Sequence, residues 1–442
     1  MKKQIDLTKG NIAKGILLFG LPLFFGSLFQ QLYGTADVIF VSRILGKNAA
    51  AAVGASSILV TCLIGLFTGI SVGTGVVVAN GFGSKNEVRM KKAMQSAVLI
   101  GLAGGILLMA AGLIFSEKIL LWMHTPEGIM ANALIYIRIY FAAIPMMILY
   151  NICAGILRAI GNVRLPFWVL AGGGVLNVMI DAIFLKYLHL GIAGAAFATL
   201  ISQGVTAVVL LVFIIRNEKI FAIRLAIDWE IIGSILKIGI PSGIQSVLLT
   251  LSNLVVQYHI NKLGEDSIAA FTIYFKAENV IYMPILAFGQ VMLTFTGQNI
   301  GAFNMQRVKK GVVQCNLLSA AVTICLAGLF TVFPSFLLEI FSKEKEINKL
   351  VLEIIQITFP CYFIYSIMEV TSSAVRGMGK ALPSLVIMLL ALCGSRILLI
   401  QWVTQYWNSV RAVAVVYPVT WLIAAICFLG YYHYCSIYVC ND

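Results

Sequence analysis

Asn177 and Asp181 stand four residues apart in LNVMIDAIF, residues 176–184, a stretch otherwise made of apolar side chains. On a helix, positions i and i+4 share one face, so the amide and the carboxylate point the same way. An ionisable group within an apolar span is expensive and marks a functional hypothesis. Asp37 is a second such acid. Gln30, Tyr33, Gly34 and Asp37 recur at spacings of three and four, again one helical face. Pro22, fifteen residues before Asp37, lacks a backbone N–H and predicts a kink in that helix. Two carboxylates brought together in a low dielectric cannot both stay charged without a cation. One takes up a proton, or the pair holds a metal ion. That is the chemistry of a coupling-ion site. Thr199, Ser202 and Gln203 add polar groups to another small and apolar segment; Thr199 alone reads equally well as a helix–helix hydrogen bond.

The elements that must position these residues are membrane helices. Of 442 residues, 60% are hydrophobic and only 11% charged, whereas soluble domains carry about 25% charged residues. A spanning helix needs about 20 mostly apolar residues. Twelve such stretches occur, at 15–43, 49–79, 93–116, 129–156, 163–188, 190–216, 232–261, 267–297, 312–341, 347–375, 381–406 and 410–438. They lack the polar–apolar alternation of barrel strands. The first is too long for a signal peptide and has no small-residue cleavage site, so it is expected to be a retained helix. The net charge of +13 sorts by loop. With an inside N-terminus, 19 Lys and Arg fall on the cytoplasmic side and 9 on the other, while Arg138, Lys276 and Arg396 lie inside helices. The basic excess is therefore topogenic and not a nucleic-acid surface, and both termini are expected in the cytoplasm. The nine Cys form no CxxC and no Cys/His cluster, so they read as small hydrophobes.

A fixed offset of 218 residues recurs along the chain. Gly46 matches Gly264; Gly83-Ser84-Lys85-Asn86 matches Gly301-Ala302-Phe303-Asn304; Arg89, Lys91 and Lys92 match Arg307, Lys309 and Lys310; Leu157–Gly161 matches Val375–Gly379. With one-residue slips, Pro22 matches Pro241 and Pro166 matches Pro383. The expected fold is an all-α polytopic membrane protein of twelve transmembrane helices in two pseudo-symmetric six-helix lobes, 1–225 and 226–442. Because six is even, this is a parallel repeat about an axis along the membrane normal. The repeated loops after Asn80 and Gln298 read as helix C-caps with Gly at positive φ. A phosphate-cradling loop would need a following Lys-Ser/Thr or a strand, and both are absent.

With these residues in hand, the chain resembles the multidrug and toxic compound extrusion (MATE) family over essentially its whole length. The likeness rests on the twelve spans, the two halves and the repeated Gly-Ala/Ser-x-Asn and Arg-Gly/Ala-x-Gly loops. It is most similar to the prokaryotic DinF-like branch, which has a helix-1 Asp fifteen residues after a Pro, an Asn-x-x-x-Asp in helix 5 and a Thr eighteen residues later. Pro22, Asp37, Asn177, Asp181 and Thr199 stand at those spacings. The resemblance implies a secondary antiporter that exports organic, cationic or amphipathic compounds across the cytoplasmic membrane. H⁺ or Na⁺ would bind at Asp37, Asn177, Asp181 and Thr199, and a helix-1 change at Pro22 would follow. No cofactor beyond the coupling ion is implied. The partners are small organic molecules and the lipid bilayer, not nucleic acid, and the protein is expected to be a monomer.

Candidates for a substrate cavity are Gln30, Tyr33, Tyr150 and Asn151 in the first half and Lys276, Glu278 and Glu369 in the second. The NorM-like branch carries acids in helices 7 and 10 of its second lobe. Helix 7 here offers only Gln245, Asn253 and Gln257. The equivalent of 176–184 in the second half, read at a constant offset, has Gly394 and Leu398 in place of Asn177 and Asp181. Two further readings stay open. A lipid-linked sugar flippase of the same superfamily would need a cationic groove, with Arg138, Lys276 and Arg396 as candidates. A channel would conduct without the acids. No nucleophile–base pair or Walker-type motif points to an enzyme.

Overall fold

Backbone polar groups buried in hydrocarbon must be satisfied within their own segment, which a helix does and an open strand does not. The computed structural model describes residues 4–217, 228–334, 338, 344–407 and 409–438. The side chains of 36–38, 47, 48, 50–52, 55–63 and 438, Asp37's among them, lie outside the described residues. Twelve helices among the described residues are long and apolar enough to cross a membrane. They are α1 (Ile12–Leu45), α2 (Lys47–Gly83), α3 (Glu87–Trp122), α4 (Glu127–Ala159), α5 (Arg164–Tyr187), α6 (Gly191–Asn217), α7 (Trp229–Lys262), α8 (Glu265–Gly301), α9 (Met305–Val332), α10 (Lys345–Gly377), α11 (Ala381–Tyr406) and α12 (Val410–Tyr438). Two of them contain π-turns. The last turns of α5 (Ala182–Tyr187) and the middle of α11 (Met388–Gly394) are wound this way, and α10 passes through a 3-10 turn at Phe359–Cys361.

The duplication is visible in the backbone. Gly46 and Gly264, which precede α2 and α8, have φ of 83° and 100°; Gly161 and Gly379, which follow α4 and α10, have φ of 88° and 80°. At Gly161 the requirement is also steric, because a Cβ would lie 2.3 Å from the carbonyl oxygen of Ile5. The α2–α3 and α8–α9 turns close with the same hydrogen bonds: Ser84 N–H to Asn80 O and Asn86 N–H to Gly81 O in one, Ala302 N–H to Gln298 O and Asn304 N–H to Asn299 O in the other. Asn86 and Asn304 then cap the next helix, each side-chain oxygen accepting from the backbone N–H of Arg89 or Arg307 at 3.0 Å. One detail departs from the sequence expectation. The left-handed residues in these turns are Lys85 (φ 55°) and Phe303 (φ 54°), not the glycines. Gly83 and Gly301 are still helical, and the C-caps are Ser84 and Ala302, one residue later.

Contacts divide the chain into two compact units, one of residues 1–6 and 25–243, the other of 7–24 and 244–442. The divisions inside α1 and α7 fall two to three residues beyond Pro22 and Pro241, where each helix lacks a backbone hydrogen bond. In the first unit α4 packs on α2, α3 and α6; in the second, the last part of α10 packs on α8, α9 and α12. Within the first unit α7 meets α2 glycine to glycine: a Cβ on Gly69 would lie 2.1 Å from the Gly243 nitrogen, the close approach that small residues permit between membrane helices. In the second, Leu7 donates to Gln298 Oε1 at 3.0 Å, and Arg307 donates to the carbonyls of Leu7 and Lys9 at 3.1 and 2.8 Å. The repeated loop of that half thus holds the segment leading into α1.

Candidate functional site

In the first unit, α5 carries Asn177 and Asp181 on one face, 3% and 0% exposed. Their helix lies tightly on α6, since a Cβ on Gly173 would come 2.2 Å from Thr206 Cγ2. Directly after Asp181 the backbone passes into its π-turn, which holds an extra residue and is frequent at functional sites. Thr199 stands on the neighbouring α6. Its hydroxyl donates to the Ala195 carbonyl at 3.3 Å, which leaves the oxygen lone pairs open to a cation or a donor. The amide and carboxylate oxygens of α5 and the hydroxyl oxygen of α6 are all hard donors, the chemistry suited to H⁺ or a hard metal ion. α1 reaches α5 at Tyr33, whose ring would be 3.0 Å from a Cβ on Gly174. Asp37 falls outside the described residues as regards its side chain.

The other first-half candidates separate. Tyr33 lines an apolar groove of about 310 Å³ with Phe29, Leu32 and Met179, whereas Gln30 is exposed. Tyr150 donates its hydroxyl to the Pro166 carbonyl at 3.3 Å. Asn151 donates to Met147 O of its own helix at 2.8 Å, and its own carbonyl accepts from Ser71 Oγ at 2.6 Å. These two fasten α4 to its neighbours.

The second unit holds a polar cavity of about 280 Å³ walled by α7, α8, α10, α11 and α12. Glu278 on α8 accepts from the Tyr362 hydroxyl. Tyr365 donates to the Tyr282 hydroxyl at 3.2 Å. Trp421 packs on Tyr362 and Tyr365 with ring centroids 4.6 and 5.5 Å apart. Arg396, 4% exposed, donates from Nη1 to Asn253 Oδ1 at 3.1 Å, and its guanidinium lies 4.9 Å over the Tyr417 ring. Its Nε has no hydrogen-bond partner. Lys276 is exposed and does not line this space. Glu369 does not either. Its Oε1 accepts from Arg376 Nη2 at 2.9 Å and from Ser373 Oγ at 3.1 Å, and the missing side chain of Gly289 makes room for it. The sequence reading gave Arg396 and these aromatics no joint role. Their signal was Tyr362 and Tyr365 at a spacing of three, and Tyr417 with Trp421 at four.

The MatE family model matches residues 22–183 and again 241–402. The chain belongs to the MatE family. It is 28% identical over 438 residues to the probable multidrug resistance protein YoeA of Bacillus subtilis, covering 97% of this chain and 95% of that one. It is 24% identical to the multidrug export protein MepA of Staphylococcus aureus over 79% of this chain and 78% of that one. Among solved structures, a MATE transporter crystallised in the straight conformation superposes with a TM-score of 0.93 at 22% identity, over the whole of both chains. A transporter of the MOP superfamily from Pyrococcus furiosus, described as having a binding pocket of reverse polarity, gives 0.92 at 21% over 100% of this chain and 99% of its own. The twelve-helix, two-repeat architecture is that of the MatE family.

The two MatE matches are equal in length and begin at 22 and 241, an offset of 219, against 218 for the repeated loops and 217 for Pro166 and Pro383. The π-turns stand at different places in the two halves: Met388–Gly394 lies within α11, whereas that of α5 follows Asp181.

Proposed function

We propose that this chain is a secondary active antiporter of the cytoplasmic membrane that exports organic, cationic or amphipathic compounds in exchange for H⁺ or Na⁺. The observation that carries the reading is the full burial of Asp181 beside Asn177 on an apolar membrane helix of a MatE family chain. The named relatives are multidrug resistance and export proteins, which supports the same substrate class here. The coupling ion binds at Asp37, Asn177, Asp181 and Thr199, as in the DinF-like branch. Both termini are cytoplasmic, and the unit acts as a monomer. Coupling works because the ion binds one facing state better than the other. Substrate meets the second-unit cavity at Glu278.

The flippase alternative is not favoured. Arg138 sits in the surface pair with Glu117 at 3.9 Å, Lys276 is exposed, and Arg396 shares its cavity with an acid. The test is dye efflux from proteoliposomes with ΔpH and ΔpNa imposed separately. One of the two gradients drives efflux in the wild type and neither does so in Asp181→Asn. Efflux by Asp181→Asn at the wild-type rate would remove the assignment.

A further inference from the structure

Arg396 and Glu278 line one cavity of about 280 Å³, yet no ion pair joins them. That separation is unusual. A buried charge is tolerated when it is paired, and a pair within reach normally closes. Here each charge is held by a neutral neighbour instead: Glu278 by the Tyr362 hydroxyl, and Arg396 by the Asn253 amide oxygen and the Tyr417 face. Each is thereby fixed in position with no salt bridge between the two, so the charges act on one another only across the cavity. The guanidinium also keeps an unpartnered Nε at 4% exposure. The space between is walled by aromatic faces, with Trp421 and Tyr365 beside Glu278's tyrosine partner, and such faces favour a desolvated ammonium.

We infer that the second-unit cavity is a subsite for zwitterionic amphipaths, in which Glu278 and the aromatic wall receive the cationic nitrogen and Arg396 receives the anionic group. Charge bookkeeping decides among ligand classes. A simple cation entering the cavity satisfies Glu278 and leaves Arg396 facing it in a medium of low dielectric. A simple anion has the converse fault. A zwitterion compensates both, and its planar carboxylate matches the guanidinium fork. Arg396 is then the residue that selects substrates carrying a negative group, and Glu278 the one that selects against plain anions. The inference rests on the reading of this cavity as a substrate site, and it assigns the chemical class of the substrate.

The test uses the full-length chain in nanodiscs and three probes on one skeleton: phenylalanine betaine, its methyl ester and 3-phenylpropanoate, each titrated by calorimetry. Wild type is expected to bind the betaine at least about tenfold more tightly than either of the others, the scale of one lost charged contact. In Arg396→Gln the order inverts in favour of the ester; in Glu278→Gln it inverts in favour of phenylpropanoate. Arg396→Lys keeps the charge and keeps the wild-type order, which separates a charge effect from damage to the fold. The ratio of affinities is the readout, so a reduced folded fraction cancels. Equal binding of the three probes, no binding of the betaine, or an unchanged ratio in Arg396→Gln overturns the inference. Ion-driven dye efflux and its loss in Asp181→Asn test the antiport reading on a different site. Normal efflux with equal probe binding sinks the zwitterion subsite alone. Betaine selectivity without ion-driven efflux sinks antiport alone.

Discussion

Replacing Glu369 by Gln should cost stability without changing what is transported. The carboxylate and its partner Arg376 are 11% and 13% exposed at the side chain and 2.9 Å apart, and Ser373 bridges them: it donates to Glu369 Oε1 at 3.1 Å and accepts from Arg376 Nη2 at 2.8 Å. Gln keeps the shape and one oxygen but removes the charge, leaving the guanidinium buried and unneutralised. Breaking a fully buried pair from one side costs about 3–5 kcal/mol. The remaining tenth of exposure moderates this, so about 2–4 kcal/mol is expected. For a unit of this size that corresponds to a fall of about 5–15 °C in apparent melting temperature, measurable by the thermal shift of the detergent-solubilised protein. Replacing both residues by Gln should restore part of the loss, because no lone charge is then buried. Efflux per folded molecule, and the ratio of rates between two dyes, should stay within about twofold of wild type, the range expected when only uniform terms change. The reasoning is refuted by a Glu369→Gln protein as stable as wild type, by single losses that simply add in the double variant, or by an altered dye ratio. The last result would return Glu369 to the substrate cavity.

Other outcomes follow from the same geometry. Asp37→Asn and Asp181→Asn should each abolish ion-driven efflux while leaving expression and substrate counterflow, and Thr199→Ala should raise the ion concentration needed for half-maximal efflux. Gly155→Ser should destabilise by about 1–3 kcal/mol, because a Cβ there meets Ser71 Oγ at 2.6 Å; adding Ser71→Gly, which recreates the Gly289–Ser373 arrangement of the second half, should recover melting temperature. Outside the membrane, the Lys92 ammonium bonded to Asp228 at 3.1 Å, together with the Ile231 N–H, holds that carboxyl below its ordinary range. Its contribution is therefore complete above the ordinary carboxylate pKa and is lost as pH falls through the lowered value. Amide protection at the start of α7, taken relative to the intrinsic exchange rate at each pH, should fall in that acid window in wild type, and Asp228→Asn should flatten the pH response.

Much of the architecture was legible because it is repetitive physics. Apolar runs of membrane length must be helical, and the repeated Asn and Arg of the loops keep their caps at an offset of 218. Glycine misled in one place. Gly83 and Gly301 sit where a C-cap rule points, yet Lys85 and Phe303 take the left-handed conformation, at a cost of about 1–2 kcal/mol each, because Asn86 and Asn304 must follow immediately to cap the next helix. The candidate site was half legible. Burial of Asn177 and Asp181 followed from i and i+4 on an apolar helix. The fate of Glu369 did not, since spacing alone cannot choose between Lys276, Arg396 and Arg376 as its partner. The chosen one lies seven residues on, two turns along the same face of α10. Nor could composition show that Arg396 and Glu278 share a cavity, because five helices distant in sequence enclose it.

The two halves bury different charges. In the first, Asn177 and Asp181 are buried on α5, and Thr199 stands on the neighbouring α6. In the second, the buried Arg396 guanidinium of α11 lies on the Tyr417 ring of α12. A guanidinium is permanently charged, so this position in the second half holds a fixed cation. On the proposed reading, the first half holds an exchangeable one at its acids. An exchangeable ion can report a gradient, whereas a fixed one can only shape what binds beside it. On the proposed reading, one duplicated scaffold supports two tasks: an acid and oxygen donors for coupling in one unit, and an immobile positive charge in an aromatic chamber for selection in the other.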